Sequence, residues 1–313
     1  MERLHTALTR YREQQRSRET GRRPASPAPT RSTSPERAIA YTKTRTIQVS
    51  PELLRERRIL AAFPEGPFVD AYKILRTQVM HRLKENGWNV LAVTSPGDGE
   101  GKSLTAVNLA IALALDVTQT VLLVDADLRT PSVDHMFGIE RAKGLADYLL
   151  DQAPIEELLI HPSIGRFVLL PGGRRLPNSA EALTSPRMTA LVRELKHRYA
   201  SRVIVFDLPP ILHAADVLAF APYADATLLV VEEGRTSRED VERALQLLKG
   251  ASPVIGTVLN KSRDAGGPPA RRGQPAIDGC AESASVPEGA ERGESQGGRW
   301  SGWFRRRKAT ASP

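Results

Sequence analysis

Between residues 92 and 110 the sequence AVTSPGDGEGKSLTAVNLA sets a glycine-rich turn, Gly97-Asp98-Gly99-Glu100-Gly101, directly before Lys102, Ser103 and Leu104. Glycines let the backbone wrap an anion so that several N–H groups point at it, and a helix starting there adds partial positive charge. A lysine at the helix start then reaches the outer phosphates, and a neighbouring hydroxyl can ligate Mg²⁺. The strict pattern asks for glycine at position 96, where Pro96 stands. The apolar run before the turn and the helical pattern after it supply the setting that a P-loop needs.

Two further apolar runs end in carboxylates. VLLVDADLRTP (121–131) carries Asp125 and Asp127 with Arg129 beyond, and VIVFDLPP (203–210) carries Asp207. Alone, an Asp after a strand is most often a helix cap or turn residue. Three of them alongside a P-loop point elsewhere, because the carboxyl ends of strands in an open α/β sheet converge on the crevice where ligands bind. Asp125 and Asp207, with Ser103, are therefore the expected surroundings of a Mg²⁺ ion and its waters.

The elements that must position these residues follow from periodicity. NVLAVTS, TVLLVDAD, RFVLLPG, RVIVFDLPP, ATLLVVEE and PVIGTVLN are apolar runs of strand length, the pattern of strands buried on both faces of a parallel sheet. KSLTAVNLAIALAL, PRMTALVRELKHRY and SREDVERALQLLKG lie between them at helical spacing, and PFVDAYKILRTQVMHRLKEN predicts a helix ending at Asn86-Gly87. The expected fold is α/β: a doubly wound, mostly parallel sheet of the P-loop NTPase type.

Charge divides the chain further. Residues 1–60 carry 14 Lys/Arg against 6 Asp/Glu, 61–260 carry 20 against 24, and the rest 10 against 6. The net charge of +8 thus sits in the ends, which argues against a nucleic-acid surface on the fold. The expected organisation is a basic, largely disordered extension (1–60), an ATPase or kinase domain (61–262) and a disordered tail (263–313). Within the extension, YTKTRTIQV alternates like a strand and PELLRERRIL like a helix, so folded structure is expected to begin near Tyr41. A single cysteine, Cys280, excludes an intrachain disulfide and fits a reducing compartment. No apolar run of membrane-spanning length and no secretory leader is found, and a cytoplasmic location is expected.

The P-loop, VLLVDADLRTP and VIVFDLPP, in that order, resemble the Walker A, A′ and B motifs of bacterial tyrosine kinases, the ATPases of capsule and exopolysaccharide assembly. The resemblance extends through LPGGRRLPNSAEALTSPRMTALVREL, DATLLVVEEGRTSREDVERAL and VIGTVLNKS, about residues 61–262. It implies ATP with Mg²⁺ as ligands, Asp125 closest to the metal and the attacking hydroxyl, Asp127 in support, and Asp207 holding the metal through water. It places Asn260 where related ATPases contact adenine. It further implies a homo-oligomer and a membrane-bound polysaccharide co-polymerase or chain-length regulator as partner, hence a position at the inner face of the membrane.

Departures from the family pattern leave alternatives open. Free-standing kinases of this type end in a tyrosine cluster, whereas the last tyrosine here is Tyr223. Tyr11 and Tyr41 are then the expected acceptors if phosphate goes to tyrosine. A regulatory ATPase that phosphorylates no tyrosine is the second reading. A partitioning or positioning ATPase is the third, against which stands Gly97 in place of that group's extra lysine. The family's oligomerisation helix has Glu and two Arg where this chain has Asp70, Lys73 and Arg76. RWSGWFRRRK (299–308) is either a solvated tail or a peripheral contact with an anionic membrane surface.

Overall fold

A run of apolar residues buried on both sides has one stable setting, the interior of a sheet covered by helices, and five segments here take it. They are β2 (Val90–Thr94), β3 (Thr120–Asp125), β5 (Phe167–Leu170), β6 (Arg202–Asp207) and β7 (Ala226–Glu232). The computed structural model describes residues 44–116, 119–140, 142–198 and 202–262. Tyr11, Tyr41, Tyr199, Cys280 and the basic-aromatic segment 299–308 lie outside the described residues. Three more strands complete the sheet: β1 (Arg45–Thr46), β4 (Ile160–His161) and β8 (Val254–Asn260).

The strand order is β1-β4-β5-β3-β6-β2-β7-β8. Every pairing is parallel except β4 with β5. The fold is the doubly wound α/β sheet that the apolar runs imply. Among the six apolar runs only β8 departs from expectation. It lies at the sheet edge with β7 as its one neighbour, so none of its residues is fully buried.

Alternation along the strands sorts side chains into two layers. Leu91, Val93, Val121, Leu123, Val203 and Val205 pack on one side with Val79 and Leu83 of one helix (Pro67–Asn86) and with the apolar face of another (Lys102–Ala114). Ala92, Leu122, Val124, Ile204 and Phe206 pack on the other with Leu191 of helix Pro186–Arg198 and Leu248 of helix Arg238–Leu248. Helix Pro67–Asn86 stops at Gly87, whose φ of 67° is the left-handed cap that glycine adopts without strain. No helix among the described residues is long and apolar enough to cross a membrane.

The charge-based boundary at 61 falls inside packed structure. Helix Pro51–Glu56 and the turn Leu60–Ala62 precede it or span it, and Ile59 is fully buried. The anchor is polar. Asn108, buried in the helix that follows the P-loop, accepts from the Ala61 N–H (2.9 Å) and donates to the Arg58 carbonyl (3.1 Å) and the Leu104 carbonyl (2.9 Å). Helix Pro51–Glu56 falls within PELLRERRIL, read as helical from sequence, and here Arg55, Arg57 and Arg58 are exposed while Leu54 and Ile59 are buried.

Of the helix residues aligned with the family's oligomerisation motif, Lys73 pairs with Asp70 at 3.0 Å and Arg76 donates to the Ala112 carbonyl at 3.2 Å.

Replacing Asn108 by Leu keeps the branched outline but strands the Ala61 N–H and the Arg58 carbonyl, while the Leu104 carbonyl keeps its helical partner. Each orphaned group costs about 1–3 kcal/mol, so the midpoint in a thermal melt should fall by several degrees. Limited proteolysis should then cut first between residues 55 and 62. An unchanged midpoint and cleavage pattern would show that apolar packing alone holds this segment.

Candidate active site

The site is built where β2, β3 and β6 end. Glycines at 99 and 101, with φ of 74° and 91°, carry the loop after β2 through conformations that disfavour side chains, and Lys102 opens the following helix. Lys102 is turned inward, its side chain only 12% exposed. Its Nζ lies 2.7 Å from Asp127 Oδ2 and 3.8 Å from Asp207 Oδ1, and it donates to Ser103 Oγ at 3.2 Å. The lysine, the serine and the two strand-end carboxylates singled out from sequence therefore meet.

Asp125 and Asp207 occupy facing positions of β3 and β6, and both are fully buried. Their environments differ. Asp125 accepts from the Ser132 and Val133 N–H groups at 3.0 Å each and from the Asp127 N–H at 3.2 Å. Asp207 has no donor close against either oxygen, its nearest side-chain donors being Lys102, at 3.8 Å, and the Ser103 hydroxyl. Asp127 completes the set by accepting from the Thr130 N–H (3.0 Å) and hydroxyl (3.1 Å).

Burial and like charge work together on these groups. Burial, then the Asp207 charge, push the Asp125 carboxyl up to about 8, against the pull of the Val133 and Ser132 N–H groups. Burial likewise raises Asp207, opposed by Lys102. For Lys102 burial disfavours the charge, yet Asp207 and Asp127 outweigh it and its pKa lies above the ordinary lysine value.

The remaining loop residues are held from outside. The Gly97 N–H donates to Glu100 Oε2 at 2.9 Å, and the exposed Asp98 carboxylate meets His213 Nδ1 at 2.7 Å. The Leu104 carbonyl is taken by Asn108. Asn260 donates its Nδ2 to the Glu100 carbonyl at 2.8 Å, so the nitrogen expected near adenine grips the loop itself.

Sequence reasoning missed His213, Glu232, Arg235, Thr236 and Lys261, all of which reach the loop or its supports. Their signal was position: Glu232 ends β7 and Lys261 follows β8, the strand ends that face the crevice. It also missed Asp216, fully buried, which accepts from Arg129 Nε at 3.3 Å and so fixes the arginine beyond Asp127.

The raised carboxylates fix a sign. Asp125 binds a proton more tightly folded, at about 8, than unfolded, at 3.8. Between those values the native state holds more protons, so stability present at low pH is lost as pH rises toward 8, by at most about 1.4 kcal/mol per pH unit per proton. Asp207 acts in the same direction. Urea unfolding of the nucleotide-free protein at pH 5 and pH 8 should show the midpoint falling, and Asp125→Asn should make that fall shallower. Equal slopes in both proteins would count against a buried, neutral Asp125.

Residues 87–265, more than half of the chain, match the family model described as ParA: NUBPL iron-transfer P-loop NTPase. The chain is 33% identical over 207 residues to the tyrosine-protein kinase YwqD of Bacillus subtilis, covering 66% of this chain and 86% of that protein. It is 32% identical over 192 residues to the tyrosine-protein kinase CpsD of Streptococcus agalactiae, covering 61% and 82%. Among solved structures it resembles the kinase domain of the Escherichia coli tyrosine kinase ETK, with a TM-score of 0.61, 27% identity, and coverage of 75% of this chain and 92% of that one. By the family model over more than half of its length and by its likeness to these kinases, the chain belongs to the bacterial tyrosine kinase family of ParA-type P-loop NTPases.

Proposed function

We propose that the chain binds ATP with Mg²⁺ and acts as a tyrosine-autokinase-like ATPase in exopolysaccharide biosynthesis, as a homo-oligomer working with a membrane polysaccharide co-polymerase. The observation that supports this most directly is Asp207, fully buried, with the Lys102 ammonium standing off at 3.8 Å and the Ser103 hydroxyl as its other side-chain donor. A buried carboxylate left so is costly unless a cation and its waters answer it. Among the described residues no group of three or more His, Cys, Asp or Glu is arranged to hold a metal ion. Ser103, Asp207 through water, and the phosphate oxygens suit Mg²⁺, which keeps much of its hydration.

Each residue then has a task. Gly97 to Gly101 wrap the phosphates, and Lys102 swings from Asp127 toward the outer ones. Asp125, at the end of β3 opposite Asp207, is placed to take the proton of an accepting hydroxyl once the charge of bound Mg²⁺ favours its carboxylate form. Asp127 holds Lys102 until nucleotide arrives. Bound Mg²⁺ supplies charge neutralisation at the transferring phosphate.

The regulatory reading rests on the tyrosines. Tyr72 is half-buried against the helix after the P-loop, Tyr148 lies beneath the Arg187 guanidinium, and Tyr223 packs on Phe220 and bonds Thr189 at 3.0 Å. Each would need local unfolding to enter a neighbouring site. Tyr11 and Tyr41 are the acceptors we favour.

Lys102→Met should weaken binding of a non-hydrolysable ATP analogue on the order of 10²-fold in calorimetric titration. It also leaves Asp127 and Asp207 without their cation, so a parallel melt must confirm a folded protein. Unchanged affinity together with an unchanged ATPase rate would remove the P-loop assignment. Incubation with Mg-ATP and mass-spectrometric mapping should place phosphotyrosine at Tyr11 or Tyr41, and none in the Lys102→Met protein. Hydrolysis without phosphotyrosine would instead support the regulatory ATPase.

A further inference from the structure

A loop that presents its N–H groups to a phosphate must point carbonyls the other way, and those carbonyls need donors of their own. Here the donors come from the far end of the chain. The Gly99 carbonyl accepts from Lys261 Nζ at 2.8 Å, and the Glu100 carbonyl from Asn260 Nδ2 at 2.8 Å. Nearer by, the Gly97 carbonyl accepts from Ser95 Oγ at 2.7 Å. The buried Glu100 side chain, which holds the Gly97 N–H, is fixed in turn by the Thr236 hydroxyl after β7.

Lys261 is itself held in place. Its ammonium pairs with Glu232 Oε2 at 2.8 Å, an oxygen that Arg235 also reaches at 3.2 Å. The Arg235 guanidinium closes over the loop, 3.0 Å from where a side chain on Gly99 would begin. The Asn260 amide approaches Gly101 to 2.0 Å of the same position, so no larger residue fits there. Lys261 also has a φ of 55°, a left-handed conformation uncommon for residues other than Gly, Asn and Asp. That local cost is accepted where the turn out of β8 aims the side chain back over the loop.

We propose that Lys261, anchored by Glu232, is a positioning residue for phosphate binding: it holds the Gly99 peptide outward so that the loop's N–H groups face the phosphates before nucleotide arrives. The proposal rests on the ATP-binding reading above and assigns Lys261 to the loop, not to the base. Preorganised donors cost no rearrangement on binding, and losing one charged hydrogen bond of this kind lowers affinity about tenfold or more.

The test compares wild type, Lys261→Met, Lys261→Arg and Glu232→Gln as full chains. In the nucleotide-free state, hydrogen exchange across residues 95–104 should run several-fold faster in Lys261→Met. Lys261→Arg, which keeps a donor of similar reach, should restore wild-type exchange. Kd for ADP and GDP, and KM for ATP, should each rise about tenfold in Lys261→Met, leaving the ADP/GDP preference unchanged, with a smaller rise in Glu232→Gln. A change in that preference would assign Lys261 to the base and overturn the proposal, as would unchanged exchange and affinity. Wild-type protein that binds no nucleotide would overturn the ATP-binding reading, and with it this one. Wild-type binding with an indifferent Lys261 overturns only the positioning role.

Discussion

One lysine has to hold apart, and hold together, carboxylates that the sheet forces into proximity. Asp125 and Asp207 are adjacent because β3 and β6 pair in that register, not because their side chains attract. Taking such groups out of water is expensive, and a single cation cannot offset it fully. The ligand-free protein resolves the conflict in three ways. It solvates Asp125 with backbone N–H groups, keeps Lys102 charged between Asp127 and Asp207, and shifts carboxyl pKa values upward. Asp207 is the part least answered, since Lys102 and the Ser103 hydroxyl are its only side-chain support and the ammonium stands 3.8 Å off. The two helical layers and the strand order keep water out, so that this tension persists rather than dissipating into solvent.

The parallel core was legible because period and burial agree: a strand covered on both faces must be apolar throughout, and five runs were. The edges were not. β4 is two residues long and joins β5 antiparallel through a turn at Ser163–Gly165, too short to register as a pattern. β8 has an apolar run indistinguishable in sequence from a central strand, since Val254 to Leu259 say nothing of how many neighbours they will have. Pro96, which stands where the strict pattern asks for glycine, is tied to the loop after β6. Its carbonyl is taken by the Leu212 N–H at 3.3 Å.

Within the site, residue types that carry chemistry were recognisable, and the pairings between them were not. Lys102 was read as a phosphate contact, and its pairing with Asp127 at 2.7 Å had no signal in the sequence. Asn260 was read by family likeness as a base contact, and its amide nitrogen is committed to the Glu100 carbonyl. Contacts between residues 160 positions apart have no local signature, and only the strand order brings the end of β8 over the start of the helix at Lys102.

Asn108 ties the segment before helix Pro67–Asn86 to the helix that carries Lys102 and Ser103. Its consequence concerns modularity. Trimming the chain at residue 61, where composition suggests a seam, would remove Ile59 and the Arg58 carbonyl, opening an apolar hole and taking one acceptor from the Asn108 amide, nearly two turns into the helix that opens at Lys102. A fusion or truncation that respects the molecule must cut on the amino-terminal side of Arg45. The basic segment before residue 62 is bound by hydrogen bonds to the helix that opens at Lys102.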